Sequence, residues 1–335
     1  MRKDVAKMAG VSVSTVTRAL SGGYVSPSAR AKVMAAIDTL GYKPNALARA
    51  LRTGRTGQIA CVSPSIDNPF YSKIILGIEE IAAQHGYVLG IYSSRVMDPL
   101  YEPSLLPGRY DALILLSPTD VNGWLARLLK ESHMPMAMFW DWGTESPYTS
   151  VTVNLVLGSR AATAHLFSQG HRAIGYLGYL PVDSTDANPR LAGFFQAYQD
   201  AEISYSPQIV ELCVGVGTME EGYAGIARLM RRMPGLTAIV ASNDLLALGA
   251  MKWLREAGYN VPLDVSVIGC DDIPFASMAS PALSTIQIPK KEVGNHLMRL
   301  ILQMLADPDT TVDHIDLPSK LILRDSVAKA RTPSM

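Results

Sequence analysis

Cysteine is scarce in this 335-residue chain: Cys61, Cys213 and Cys270 are the only three, each isolated in an apolar run. No pair has the spacing of a metal site, so all three read as reduced core residues. Long hydrophobic runs are missing as well, and nothing approaches the roughly 18 uninterrupted apolar residues of a membrane-spanning helix. The N-terminal MRKDVAKMAG carries basic residues but no apolar segment and no small-residue cleavage site. It does not read as a secretion signal, and the expected location is the cytoplasm, with no membrane partner. Enzyme signatures are absent too: no GxGxxG after a strand, no Walker loop, no GxSxG elbow. The six histidines are scattered, so neither catalysis, a metal nor a cofactor is expected.

Charged residues make up 18% and hydrophobic residues 48%, which fits a folded chain and argues against long disorder. The length suggests two or three domains. A net charge of zero conceals a segregation. Residues 1–57 hold ten basic side chains against Asp4 and Asp38, and the remainder holds 20 basic against 28 acidic. A small basic head on a larger acidic body is the pattern of a phosphate-binding module joined to a domain that does not bind nucleic acid.

The head reads as helices. In DVAKMAG, Val5, Ala6 and Ala9 have helical spacing and Gly10 is a left-handed stop. Ser12 is a natural cap for a second short helix, VSTVTRAL, with Val13, Val16 and Leu20 as packing positions. Ser26 and Pro27 open a third, which runs to Gly41 with Val33, Ala36, Ile37 and Leu40 facing inward. Two short helices with a Gly-containing turn and a supporting third make a helix-turn-helix, whose second helix enters the major groove. Val13, Ser14, Thr15, Thr17 and Arg18 are the candidates to face bases, and a guanidinium at 18 can bind guanine bidentately. Ser12 and Ser26 serve equally as caps or phosphate donors, and Arg30 joins the contact candidates. In GYKPNALARALRTGRTG, Pro44 stops the third helix and Asn45 can cap a short helix holding Ala48 and Leu51. Leu51 is either a minor-groove wedge or a residue packed on its own domain.

The runs DVAKMAGVSVSTVTRAL and VSPSARAKVMAAIDTLGYKPNALARALRTGRT, with the later IGCDD and ILRDS, resemble the lactose-repressor/galactose-repressor (LacI/GalR) family over nearly the whole chain. The resemblance implies a homodimer on a pseudo-palindromic operator, with paired hinge helices that each insert a leucine, here Leu51. It matches the family's base-reading positions to Val13 and Ser14 and its recognition-helix arginine to Arg18. It also implies a division into a head (1–43), a hinge (44–57) and an effector-binding and dimerisation body (58–335). The body's lobes fall at about 58–155 with 289–316, and 156–288 with 317–328.

The body alternates short apolar runs with amphipathic helices: QIACVSP, GYVLGIY, DALILLS and MPMAMFW as strands, with helices including 124–132 between them. After a break near residues 149–154 the alternation restarts and runs to VSVIGCDD. Buried strands with crossover helices mean parallel sheets, here two doubly wound lobes of periplasmic-binding-protein type, in an α/β body behind an all-α head. Ligands of such sheets bind at the strands' carboxyl ends. Those ends carry carboxylates and amides beside aromatic rings, equipment for a polyol or sugar. The resemblance narrows the pocket to Phe70, Tyr71, Asp141, Trp142, Arg190, Asn243 and Asp271. Three family pocket positions fall on Gly217, Val153 and Ile288, which lack the usual aromatic or polar group. The expected function is an effector-switched repressor answering to a sugar or sugar derivative; a purine or nucleoside is the alternative. A C-terminal leucine heptad is absent, so a dimer is expected rather than a tetramer.

Overall fold

The computed structural model describes residues 2–20, 23–42, 54–94, 108–117, 134–141, 146, 148–180, 188–307 and 314–331. The chain divides into two compact units, Met1–Thr56 and Gly57–Met335.

The smaller unit holds α1 (Arg2–Ala9), α2 (Val13–Leu20) and α3 (Pro27–Leu40). Val5, Ala6, Ala9, Val16, Ala19, Val33 and Ala36 form its buried core. Gly10 and Gly41 adopt φ of +64° and +54°, the left-handed conformation that ends α1 and α3 at little steric cost. Two expected packing positions differ: Val13 and Leu40 are each 41% exposed. The first residue of α2 and the last residue of α3 thus fall beyond the core, although α1 is buried as far as its last residue, Ala9. Ala19 takes the packing position within α2.

The larger unit is built on two six-stranded sheets. The first has the order β2 (Val88–Ser93), β1 (Gln58–Ser63), β3 (Ala112–Leu116), β4 (Met136–Trp140), β5 (Ser150–Val153), β11 (Ile315–Leu317). The second has the order β7 (Val210–Val214), β6 (Ile174–Leu180), β8 (Ala238–Ala241), β9 (Ser266–Asp271), β10 (Ser284–Gln287), β12 (Lys320–Ile322). All pairings are parallel except β10 with β12. The central strands β3, β8 and β9 are buried at every position, as sheets covered on both faces require.

Helices α4 (Pro69–Gln84) and α10 (Lys290–Ala306) pack together against the first sheet. In the second lobe α5 (Leu155–Ser168) pairs with α6 (Pro189–Asp200), and α7 (Met219–Arg232) pairs with α8 (Asp244–Glu256). A short α9 (Pro274–Met278) follows β9. The α7–α8 crossing depends on glycine: a Cβ at Gly249 would lie 2.0 Å from the Met219 carbonyl oxygen. Among the described residues no helix is long and apolar enough to cross a membrane.

The expected break at 149–154 is the strand β5, paired with both β4 and β11. Its Ser and Thr residues read as turn formers, but Thr152 Oγ1 donates to Asp316 and Ser150 Oγ bonds His314 Nδ1 across the β5–β11 edge. Leu317 pairs with Val153 in the first sheet, so the last return to the second lobe follows Leu317 rather than preceding it. The chain passes between the lobes three times, after β5, after β10 and after β11. The helix expected over 124–132 lies outside the described residues.

Candidate DNA-reading face and effector cleft

In the head, Ser12 Oγ accepts the Thr15 amide at 3.2 Å and meets Ser14 Oγ and Thr15 Oγ1 at 2.7 and 2.9 Å. The serine thus caps α2 and fixes the hydroxyls of its first turn. Val13, Ser14 and Arg18 are exposed, and Thr15 and Thr17 are half-buried. An exposed first turn bearing hydroxyls, an aliphatic group and a guanidinium offers what a base edge requires. Ser26 Oγ accepts the Ala29 amide at 3.3 Å, capping α3. Arg30 is tied down: its Nη1 donates to the Ala19 carbonyl at 3.2 Å and its Nη2 to the Gly23 carbonyl at 2.9 Å. It holds the C-terminal end of the recognition helix to α3, a positioning role that a sequence count of basic residues cannot reveal. Tyr24, in the turn between α2 and α3, is 91% exposed; a lone aromatic in a polar turn was its only signal. Asn45, Ala48 and Leu51 lie outside the described residues.

In the body, the carboxyl ends of the two sheets bring one polar cluster together. Asp141, just past β4, and Arg190, in the first turn of α6, form an ion pair at 3.3 Å between Oδ2 and Nη2. It joins the two lobes, and the side chains are only 4% and 7% exposed. Asn188 caps α6 by accepting the Arg190 amide. Around this pair lie Tyr71 from α4, Tyr176 and Tyr179 from β6, and Cys270 and Asp271 from β9. Burial drives the Asp271 carboxyl up to about 7, against the pull of Arg190 and Lys290. Arg190 stays cationic: Cys270, Asp141, Tyr179 and Asp271 hold its pKa above the ordinary value despite burial. Burial raises the Tyr71 and Tyr179 phenols, reinforced at Tyr71 by Tyr179 and Asp141.

Asp271 and Asp272 adopt φ of +117° and +54°, conformations that non-glycine residues hold only when their surroundings fix them. Those surroundings are explicit. Lys290 Nζ donates to the carbonyls of Asp271, Asp272 and Ile288. The Asp272 carboxylate accepts Arg324 at 2.6 Å and Gln287 at 2.8 Å.

Five buried polar atoms of the cluster make no hydrogen bond of good geometry among the described residues: Ser117 Oγ, Asp141 Oδ1, Tyr176 OH, Arg190 Nε and Ser242 Oγ, although Ser117 lies beside Tyr71, Ser242 beside Tyr176 and Arg190 beside Cys270. Buried donors and acceptors held in poor hydrogen-bond geometry are costly, and a polar molecule between the lobes would relieve that cost.

The sequence-selected residues divide. Tyr71, Asp141, Arg190 and Asp271 come together. Phe70 is a backing residue, its ring 5.0 Å from Tyr71 edge-on and 5.9 Å from Phe139. Asn243 is consumed by structure: Oδ1 accepts the Leu246 amide and Nδ2 donates to the Gly217 carbonyl. Trp142 lies outside the described residues. Val153 and Ile288 are 6% and 1% exposed, apolar parts of the inter-lobe crossings. Sequence reasoning missed Ser117, Ser242, Tyr176 and Tyr179. The serines directly follow β3 and β8, where the strand-end rule would have found them. The tyrosines were hidden inside the apolar run of β6.

A helix-turn-helix head and a two-lobed body with a polar inter-lobe cleft define a ligand-responsive DNA-binding regulator. Residues 3–45 match the family described as "Bacterial regulatory proteins, lacI family", and residues 163–327 match "Periplasmic binding protein-like domain". The chain is 33% identical over 333 residues to the HTH-type transcriptional repressor PurR of Haemophilus influenzae (strain ATCC 51907), covering 97% of this chain and 98% of the relative. It is 32% identical to PurR of Mannheimia succiniciproducens, with 98% of each covered. Among solved structures, a lac repressor dimer bound to operator and the anti-inducer ONPF superposes with a TM-score of 0.85 at 28% identity, covering 97% and 98% of the two chains. A CelR–cellobiose complex superposes at 0.73 with 29% identity, covering 97% and 99%. The chain belongs to the LacI family of bacterial transcription regulators. It is a DNA-binding repressor, not an enzyme.

Proposed function

We propose that the cleft around Asp141, Arg190 and Asp271 binds a sugar or sugar derivative, and that its occupancy sets the operator affinity of a homodimer. The five buried polar atoms held without a well-formed hydrogen bond carry this reading. They mix donors and acceptors about a fixed cation and a carboxylate, which suits vicinal hydroxyls. A relative solved with cellobiose and one from Enterococcus faecium solved with ribose, 27% identical at a TM-score of 0.71, support the sugar class. The end-to-end likeness to PurR repressors favours a second reading, a purine or nucleoside.

In this proposal residues 1–43 read the operator, 44–57 link, and 58–335 sense and dimerise. Val13, Ser14 and Arg18 face bases, Ser12, Thr15, Thr17 and Ser26 support or meet phosphates, and Asn45, Ala48 and Leu51 act at the operator's centre. Two-fold symmetry makes both half-sites respond together to a shift between lobes. Leu51→Ala should weaken operator binding and leave ligand binding intact; unchanged operator affinity would remove the wedge.

A thermal-shift screen of the full chain against D-ribose, cellobiose, sugar phosphates, hypoxanthine and adenosine tests the ligand class. A ligand at a hundredfold excess over its Kd should add about 2.7 kcal/mol of stability. A sugar that raises the melting temperature supports the first reading. A purine or nucleoside alone doing so replaces it with the second.

A further inference from the structure

We propose that Tyr179 is an effector-contacting residue, the aromatic platform on which the ligand's ring stacks, and that position 217 is glycine because the Tyr179 ring occupies its side-chain space. This rests on the cleft reading given above and goes beyond it by assigning a residue from β6.

The geometry at Gly217 is specific. A Cβ there would stand 2.8 and 3.1 Å from two carbons of the Tyr179 ring and 2.3 Å from Asn243 Nδ2. Asn243 cannot yield, since both ends of its amide are held, by the Leu246 amide and the Gly217 carbonyl. The residue's φ of +78° excludes most side chains independently. The loop before α7 therefore offers no side chain at this point, and the ring that meets it belongs to the second-last residue of β6.

Tyr179 is only half-buried, although it lies on a strand whose residues 174–178 are all buried. Its phenol lies within electrostatic reach of Arg190, Asp141 and Asp271, and Tyr71 approaches from the opposite lobe. Tyr179 thus combines a flat apolar face with a polar edge directed into the charged cluster. That combination recognises a ring with an apolar face and hydroxyls or ring heteroatoms at its rim. A pyranose, a furanose and a purine share this chemistry, whereas an open-chain or purely anionic ligand lacks it.

Isothermal titration calorimetry on the full chain, using D-ribose, cellobiose and hypoxanthine, tests the assignment. Tyr179→Ala should weaken whichever probe the wild type binds by about 20-fold or more, while Tyr179→Phe, which keeps the ring, should stay within about 5-fold. Gly217→Ala should also weaken binding, because the new methyl group must displace the ring; this variant retains the full pocket inventory should Tyr179→Ala fold poorly. Wild-type affinity in Tyr179→Ala or in Gly217→Ala would overturn the assignment and leave the effector cleft standing. Equal losses in Tyr179→Phe and Tyr179→Ala would replace stacking with hydroxyl bonding and overturn the platform. Wild-type protein that binds none of the three probes would overturn the assignment together with the ring-ligand reading.

Discussion

Replacing Arg190 with Met should unfold the larger unit far more readily than its surface area suggests. The guanidinium is 7% exposed and its partner Asp141 is 4% exposed, so the substitution strands a desolvated carboxylate. Stranding one member of a buried pair costs about 3–5 kcal/mol, whereas replacing both members is often nearly neutral. The neighbouring carboxyl makes this cost depend on pH. Arg190 opposes the rise of Asp271, whose pKa stands at about 7, and without it Asp271 holds its proton to still higher pH. At pH 8 the wild type keeps Asp271 mostly charged beside the cation, and Arg190→Met exposes the full deficit. At pH 6 Asp271 is largely neutral in either protein, and the deficit should shrink by about 1–2 kcal/mol. Urea unfolding of the larger unit, followed by circular dichroism at both pH values, measures it. The double variant Asp141→Asn/Arg190→Met should recover most of the loss. A cost below about 1 kcal/mol at pH 8, or a double variant no better than the single one, would show that Asp141 does not depend on Arg190 for its burial.

The folded pKa of Asp271 stands above its ordinary 3.8, so the native state binds a proton that the unfolded chain releases. Stability should therefore fall as pH rises from about 4 to 7 and level off above. Asp271→Asn should flatten that slope and melt higher than wild type at pH 8, which a pH series of thermal melts would check. Arg30→Ala should destabilise the head by about 1–3 kcal/mol through its two lost carbonyl contacts. Because the role is structural, the salt dependence of operator binding should keep its slope; a slope lower by about one would make Arg30 a phosphate contact instead. Gly249→Ala forces a methyl group onto the Met219 carbonyl and should cost about 1–3 kcal/mol in a denaturant melt, with no cost if α7 and α8 separate freely.

The head was almost fully legible in the sequence, because caps and stops are local. Ser12, Ser26, Pro27 and Gly41 each act within four residues, and the structure uses all of them. What sequence could not supply was the small radius of the core, which leaves Val13 and Leu40 at its edge. In the body, the strands with continuous apolar runs were legible, whereas β5 was not, since its Ser and Thr are satisfied by residues some 160 positions away. The same distinction runs through the cleft. Asp141 and Arg190 meet across 49 positions of chain, and a strand-end rule places both without showing that they pair. Asn243 and Asp244 have the chemistry of ligand contacts but are spent on capping α8 and pinning the start of α9, the latter through the Ile273 amide at 2.8 Å. A residue type announces what it can bond; only packing decides what it does bond. Tyr179 is the converse, a functional candidate that an apolar run concealed.

Control of DNA affinity by the Asp141–Arg190–Asp271 cleft is a measurable coupling between two sites. Fluorescence anisotropy with the full chain, on a duplex selected from a random library by the wild type, tests it most directly. A saturating amount of the ligand found in the thermal screen should change the wild-type Kd for that duplex by about tenfold or more, the span of ordinary allosteric coupling. The double variant Asp141→Asn/Arg190→Met, which strands no buried charge, should bind the duplex as tightly as ligand-free wild type and show no response. A ligand that binds without altering the Kd, or a double variant that responds like the wild type, would contradict it.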